Sequence, residues 1–226
     1  MRLYLSSYRL GDHPERIVDH CGERKIAIIG NALDFIPDEA RRQYEANVYS
    51  PSAELKGIGL DSENLDLREY FGRPEELKRE LRRFGMVWVL GGNAFLLMRA
   101  MRQSGFSEVI AELLRNDQIA YGGFSAGAVA ATPNLRGLEL MDDPSELADG
   151  YQNQVVWDWL GLVDFSIVPH YDSDHTESHL AALTVSFMEA NRIPHIAMRD
   201  GDVFVSKGGN GQLLAAKSST PNDGCR

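Results

Sequence analysis

The chain is built on an alternation that few folds accommodate: short apolar runs, several of them apolar on both faces, separated by charged amphipathic stretches. The runs are RLYLSSY (2–8), KIAIIGNA (25–32), MVWVLGG (86–92), QIAYGGF (118–124), FSIVPHY (165–171) and HIAMRDG (195–201). A strand with one face in water alternates apolar and polar residues, whereas one covered by helices on both faces is apolar throughout. The runs therefore read as central strands of a parallel sheet. Between them, residues 37–49, 74–84, 94–105, 107–117 and 176–191 carry helical periodicity. Pro37 and Pro74 stand where a helix start tolerates proline, and Asp174 with Glu177 resembles a capping box. Strands alternating with helices predict an α/β fold of three layers around a doubly wound, mostly parallel sheet.

The end of the chain breaks the pattern, because DVFVSKGGNGQLLAAKS reads as a short hairpin turning at GGNG. No repeat or linker composition divides the 226 residues, a length suited to one substantial core, so residues 1–226 are expected to form a single domain. The formal net charge of −10 disfavours nucleic acid and anionic membranes as partners. No stretch is apolar for long enough to span a bilayer, and MRLYLSSYRL is too short in apolar residues to serve as a signal peptide. Cys21 and Cys225 lie near opposite ends without metal or redox spacing, so no disulfide framework is expected and a reducing cytoplasm fits. No cofactor and no metal is expected, and a homodimer is compatible with the composition.

One short stretch carries chemistry. Residues 123–127, GFSAG, match G-x-S-x-G between the run IAYGGF and a small-residue helix start. A sharp strand-to-helix turn of that kind lifts a serine hydroxyl clear of the sheet, and the helix start places unpaired N–H groups where an oxyanion would form. The alternative role for Ser125 is a helix N-cap in a tightly packed corner. A nucleophilic serine needs a base and a group to orient that base. His13 and His20 fall in a polar stretch and read as surface residues, and His195 opens an apolar run and reads as a packed residue. His170 ends the run FSIVP, at the carboxyl edge of a sheet where open α/β folds place their sites. Asp200, after the run HIAMR and before a glycine, is the acid expected at another strand end. The order Ser125, His170, Asp200 differs from the serine, acid, histidine order of α/β-hydrolases, which would need Asp164 or Asp174 with His195 as base.

Four pieces together resemble the peptidase E family of aspartyl dipeptidases, whose relatives include the cyanophycinases: LGGNAF (90–95), GFSAGA (123–128), VPHY (168–171) and RDGD (199–202). The resemblance implies a serine peptidase acting on short peptides through an acyl-enzyme, as a dipeptidase preferring an N-terminal aspartate. Carried over residue by residue, it makes Ser125 the nucleophile, His170 the base, Asp200 the orienting acid, and Gly92 and Ala126 the sources of the oxyanion-hole amides. The implied fold resembles that of class I glutamine amidotransferases. An aspartate reader must present a cation, and ATPNLRG resembles the family segment that makes Arg136 the candidate. The sequence departs from the family after the histidine, where HYDSDH sets Asp172 and Asp174 beside the base and would repel an acidic substrate. A cyanophycinase-like or esterase specificity is the alternative on the same fold. A metal site from His170, His175 and His179 with Asp172, Asp174 or Glu177 is the reading from a different class, on the i, i+4 histidine spacing. The segment 142–162 reads as a lid or an interface, with nothing in it to decide.

Overall fold

The computed structural model describes residues 1–217; Cys225 lies outside them. Five strands run parallel: β1 (Arg2–Ser6), β2 (Ile26–Ile29), β3 (Ser62–Asn64), β4 (Met86–Val89) and β5 (Ala120–Phe124). The helices between them are α1 (Glu15–Cys21), α2 (Asp38–Asn47), α3 (Pro51–Gly57), α4 (Pro74–Leu81), α5 (Ala94–Ser104) and α6 (Phe106–Arg115). Beyond β5 come α7 (Ala126–Val129), β6 (Ser166–Val168), α8 (Ser178–Ala190), β7 (His195–Ala197), β8 (Val203–Lys207) and β9 (Asn210–Leu214). The main sheet has the order β3-β2-β4-β5-β1-β8-β9, with β8 antiparallel to β1 and β9 antiparallel to β8.

The apolar runs divide by parity between the two faces. Leu3, Leu5, Ala27, Ile29, Val87, Val89 and Tyr121 enter one buried cluster, with α4, α5, α6, α7 and α8 packed over it. Tyr4, Ile26, Ile28, Met86, Trp88 and Ala120 enter a second cluster, covered by Ile17 and Cys21 of α1 and Leu55 of α3. A strand points successive side chains to opposite faces, so a run apolar at every position serves two cores at once. That is the three-layer, mostly parallel α/β architecture expected from the alternation.

The structure corrects several details. The run at 165–171 is not a central strand: β6 pairs only with β7, in a separate two-stranded parallel sheet. The place beside β1 is taken by β8 of the terminal hairpin, which turns at Gly208 and Gly209 as its glycines suggested. The edge strand β3 and the seven-residue helices α1 and α3 were not legible, because β3 buries no side chain fully and each helix buries only two or three in an otherwise polar stretch. His20 is buried rather than on the surface, its Nε2 within 3.1 Å of the Ser206 carbonyl, and burial holds its imidazole below the usual histidine range. No capping box forms at α8, where Glu177 itself holds the N-cap position without a side-chain cap.

Candidate active site

The nucleophile candidate sits in a backbone conformation that L-residues rarely adopt. Ser125 follows the last residue of β5 and precedes α7 with φ 48° and ψ −119°, a strained turn of the sort that surrounding structure must hold. Its N–H is shared between the carbonyls of Ser6 (3.2 Å) and Ser7 (3.1 Å) at the end of β1. The flanking glycines are required by close approach. A Cβ on Gly127 would stand 2.1 Å from the Val89 carbonyl oxygen, and one on Gly123 would stand 2.8 Å from both that oxygen and the Gly127 backbone. Ser125 occupies the N-cap position of α7 but its side chain makes no capping bond. The N-cap alternative therefore fails.

His170 and Asp200 are brought together. The imidazole is buried, and Nδ1 lies 2.8 Å from Asp200 Oδ1. An ionised carboxylate only accepts, so Nδ1 donates to Asp200, and Nε2 is the ring nitrogen left to face the cavity. Burial pushes the Asp200 carboxyl up, but the His170 hydrogen bond and charge, with the Ser7 hydrogen bond, outweigh it and hold the group below the usual carboxylate range. Ser7 is a residue the sequence reading missed. Its hydroxyl donates to Asp200 Oδ1 (2.8 Å) and accepts the His170 backbone N–H (2.8 Å), so it fixes both partners of the pair. Ser173 adds a second support, its hydroxyl accepting the Asp200 backbone N–H at 2.8 Å.

Ser125 and His170 open into one cavity of about 860 Å³, a volume typical of small-ligand sites. Gly91 and Gly92 form the wall next to the serine. A Cβ on Gly91 would meet Ser125 Cβ at 3.1 Å, and Gly92, at φ 134°, leaves room for none beside the Ala32 carbonyl. Among the described residues neither the Gly92 nor the Ala126 N–H finds an acceptor, as donors reserved for an oxyanion would require. Asp142 is a second wall residue absent from the sequence reading. Its Oδ2 accepts the Ala94 N–H at 2.8 Å at the start of α5, and burial, opposed by that hydrogen bond, aided by Glu177 and opposed again by His170, pushes its carboxyl up to about 7.

Other candidates are redistributed. Arg136 does not reach the cavity: it is exposed, with its guanidinium 5.5 Å from the Trp157 ring centre. The cations that do line the cavity are Arg41, paired with Asp34 at 2.7 Å, and Arg9, whose guanidinium lies over the rings of Tyr49 (4.3 Å) and Tyr8 (5.0 Å) without an ion-pair partner among the described residues. Asp172 pairs with Arg199 in solvent, and the acid beside the base is instead Glu177, 3.8 Å from His170 Nε2. Of the metal-ligand set, His170, His175 and Glu177 gather with their ligand atoms within 4.8 Å, while His179 is exposed and bonded to the Thr176 carbonyl. The His170 and His175 rings stack face to face, 3.8 Å apart and 8° from parallel. Lone pairs lying in stacked planes run side by side and do not converge on one ion. Burial and the neighbouring His170 hold the His175 imidazole below its usual range.

Comparison with known proteins points the same way as the geometry. Residues 10–214 match peptidase family S51. An uncharacterized peptidase of Listeria monocytogenes is 33% identical over 147 residues, covering 64% of this chain and 67% of that one. Peptidase E of Streptomyces coelicolor is 30% identical over 187 residues, covering 76% and 71%. A Drosophila melanogaster chain named as a probable alpha-aspartyl dipeptidase is 26% identical, covering 96% and 87%. In fold, the chain is similar to the crystal structure of a candidate peptidase E protein from Listeria monocytogenes, with TM-score 0.76, 23% identity, and 96% and 98% of the two chains covered. Among the described residues no helix is long and apolar enough to cross a membrane.

Proposed function

The chain belongs to peptidase family S51, and from that premise we propose that it is a serine peptidase hydrolysing short peptides by a Ser125–His170–Asp200 triad. The observation that carries the reading is the buried His170, paired with the half-buried Asp200, opening into the cavity that Ser125 also lines. Ser125 Oγ attacks the scissile carbonyl carbon while His170 Nε2 takes its proton, and Asp200 holds the ring and balances the imidazolium. The tetrahedral oxyanion is received by the N–H groups of Gly92 and Ala126. Collapse breaks the C–N bond, the imidazolium protonates the leaving amine, and an acyl-enzyme remains on Ser125. Water, deprotonated by the same imidazole, then releases the acid. Among the described residues the Ser125 hydroxyl has no hydrogen-bond partner, consistent with a free enzyme in which the serine–histidine contact tightens when substrate fills the cavity.

The specificity we assign is a dipeptidase with preference for an N-terminal aspartate. Arg9 supports it as the unpaired cation of the cavity, in place of Arg136, and a guanidinium matches a carboxylate in a two-pronged contact. The reading places the enzyme in the cytoplasm, which suits the free, buried Cys21.

Turnover of Asp-X and Ala-X dipeptides, with fluorophosphonate labelling of the protein, tests the assignment. Ser125→Ala abolishes labelling and lowers kcat by about 10⁴ to 10⁶, His170→Ala does nearly the same, and Asp200→Asn costs less. Equal turnover by the wild type and Ser125→Ala overturns the nucleophile.

A further inference from the structure

A second cavity, of about 450 Å³, lies between the carboxyl-terminal half of α5 and the segment 152–158. Its floor is Arg99, only 1% exposed. A buried guanidinium is ordinarily matched by a carboxylate, because an uncompensated charge in the interior is costly. None pairs with Arg99 among the described residues. Its Nη atoms donate to the carbonyls of Glu146 (3.1 Å), Pro144 (2.8 Å) and, at 3.5 Å, Asn153. Its Nε–H has no partner among the described residues, and the charge of Asp143 reaches it only from a distance. Above this floor stand the exposed Arg102, which has no ion pair among the described residues, and the amide side chains of Gln103, Gln152 and Gln154. The single acid in the wall is the exposed Asp158, and Arg136 stands over the Trp157 ring that closes one side. Two arginines, Arg99 and Arg102, thus line one small cavity in a protein of net charge −10. A cavity with low-dielectric walls and an excess of positive charge focuses its field on anions.

We propose that this cavity is a binding site for a small oxyanion, a carboxylate- or phosphate-bearing metabolite, separate from the catalytic cavity. Arg102 supplies the direct contact at the mouth, the amides of Gln152 and Gln154 satisfy further oxygens while Gln103 is bonded to the Gly150 carbonyl and the Gln152 N–H, and Arg99 supplies the compensating charge from below. The site also gives the segment 142–162 a role. Arg99 already ties three of its carbonyls to α5, and an anion adds a second tie between the same two elements.

The test uses the full chain and does not depend on peptidase activity. Phosphate and succinate are titrated separately at constant ionic strength, with sodium chloride as the screening control, and followed by calorimetry and thermal unfolding. Expected is saturable binding of one or both ions with a rise in Tm beyond that in chloride, and which ion binds identifies the source of the oxyanion. Arg102→Gln, a change on an exposed side chain, weakens binding at least tenfold. Arg102→Lys restores part of it, and Arg9→Gln in the catalytic cavity leaves it unchanged. Responses to both ions no larger than in chloride, an undiminished response in Arg102→Gln, or a response lost in Arg9→Gln each overturn the proposal.

Discussion

Asp142 is where the cavity's electrostatics can be read as a number. Its carboxyl is pushed from 3.8 to about 7, so from about pH 4 to 7 the folded chain holds a proton that the unfolded chain has released. Stability then falls as pH rises through that window, by 1.36 kcal/mol for each unit by which the pKa values differ. Integrated from pH 5 to pH 8, the full shift is worth about 2.6 kcal/mol. Asp142 is partly exposed in an open cavity, and solvent screening lowers that to about 1–2.6 kcal/mol. Asp142→Asn keeps an oxygen to accept the Ala94 N–H and removes the titration. Glu177 and His170, the charged groups that face it, remain in both proteins, so their own pH dependence cancels in the comparison to first order. Urea unfolding of both proteins at pH 5 and pH 8 measures the difference, and the wild type should lose about 1–2.6 kcal/mol more than the variant. Parallel losses would show that the Asp142 carboxyl titrates as an ordinary surface acid, and the description of a desolvated wall beside His170 would be wrong.

Two further predictions concern the same cavity. Arg9→Gln should lower kcat/KM for Asp-X dipeptides about 10- to 100-fold, the range set by about 1.5–3 kcal/mol for a charged hydrogen bond, and change Ala-X less than threefold; equal losses would make Arg9 a wall residue that does not read charge. Ser7→Ala should lower kcat about 10- to 100-fold with little change in KM, because it releases both the His170 backbone and the Asp200 carboxylate. Ser7→Thr should recover part of that rate, and a loss expressed in KM alone would count against a positioning role.

What the sequence exposed and what it concealed separate by the range of the interactions. The parallel core was legible because a strand with two covered faces must be apolar at every position, and the parity of Leu3, Tyr4 and Leu5 between two clusters is that rule made visible. The elbow was legible because its G-x-S-x-G pattern is five consecutive residues, although the neighbour that excludes a Cβ at Gly123 and Gly127 is the Val89 backbone of another strand. Asp142 was not, because its partner Ala94 stands 48 residues away and nothing near MDDPSE marks it. Arg136 was misplaced because a local motif fixes the path of the chain and leaves the direction of a long side chain to tertiary packing, here against Trp157. The displacement of β6 from the main sheet was hidden for a similar reason. Pairing partners are not written in an apolar run, and β8 competes for the place beside β1 with a five-residue register.

Ser125, His170 and Asp200 are all held from the end of a strand that contributes none of them. The carbonyls of Ser6 and Ser7 hold the Ser125 N–H, and the Ser7 hydroxyl holds the His170 N–H and Asp200 Oδ1. Ser125 and His170 have φ values of 48° and 61°, both in the left-handed region that non-glycine residues avoid. Each such residue costs about 1–3 kcal/mol and persists only where neighbours over-determine it. The end of β1 supplies that constraint to both, and it is itself locked between β5 and β8 in the middle of the sheet. Strand order and active-site geometry are thus one constraint. Placing β1 between β5 and the terminal hairpin brings Ser125, the His170 loop and Asp200 to Ser7 and its neighbour Ser6, although 45 residues separate Ser125 from His170. A change that loosens β8 from β1 would therefore act on the relative position of serine and histidine before it acted on either side chain.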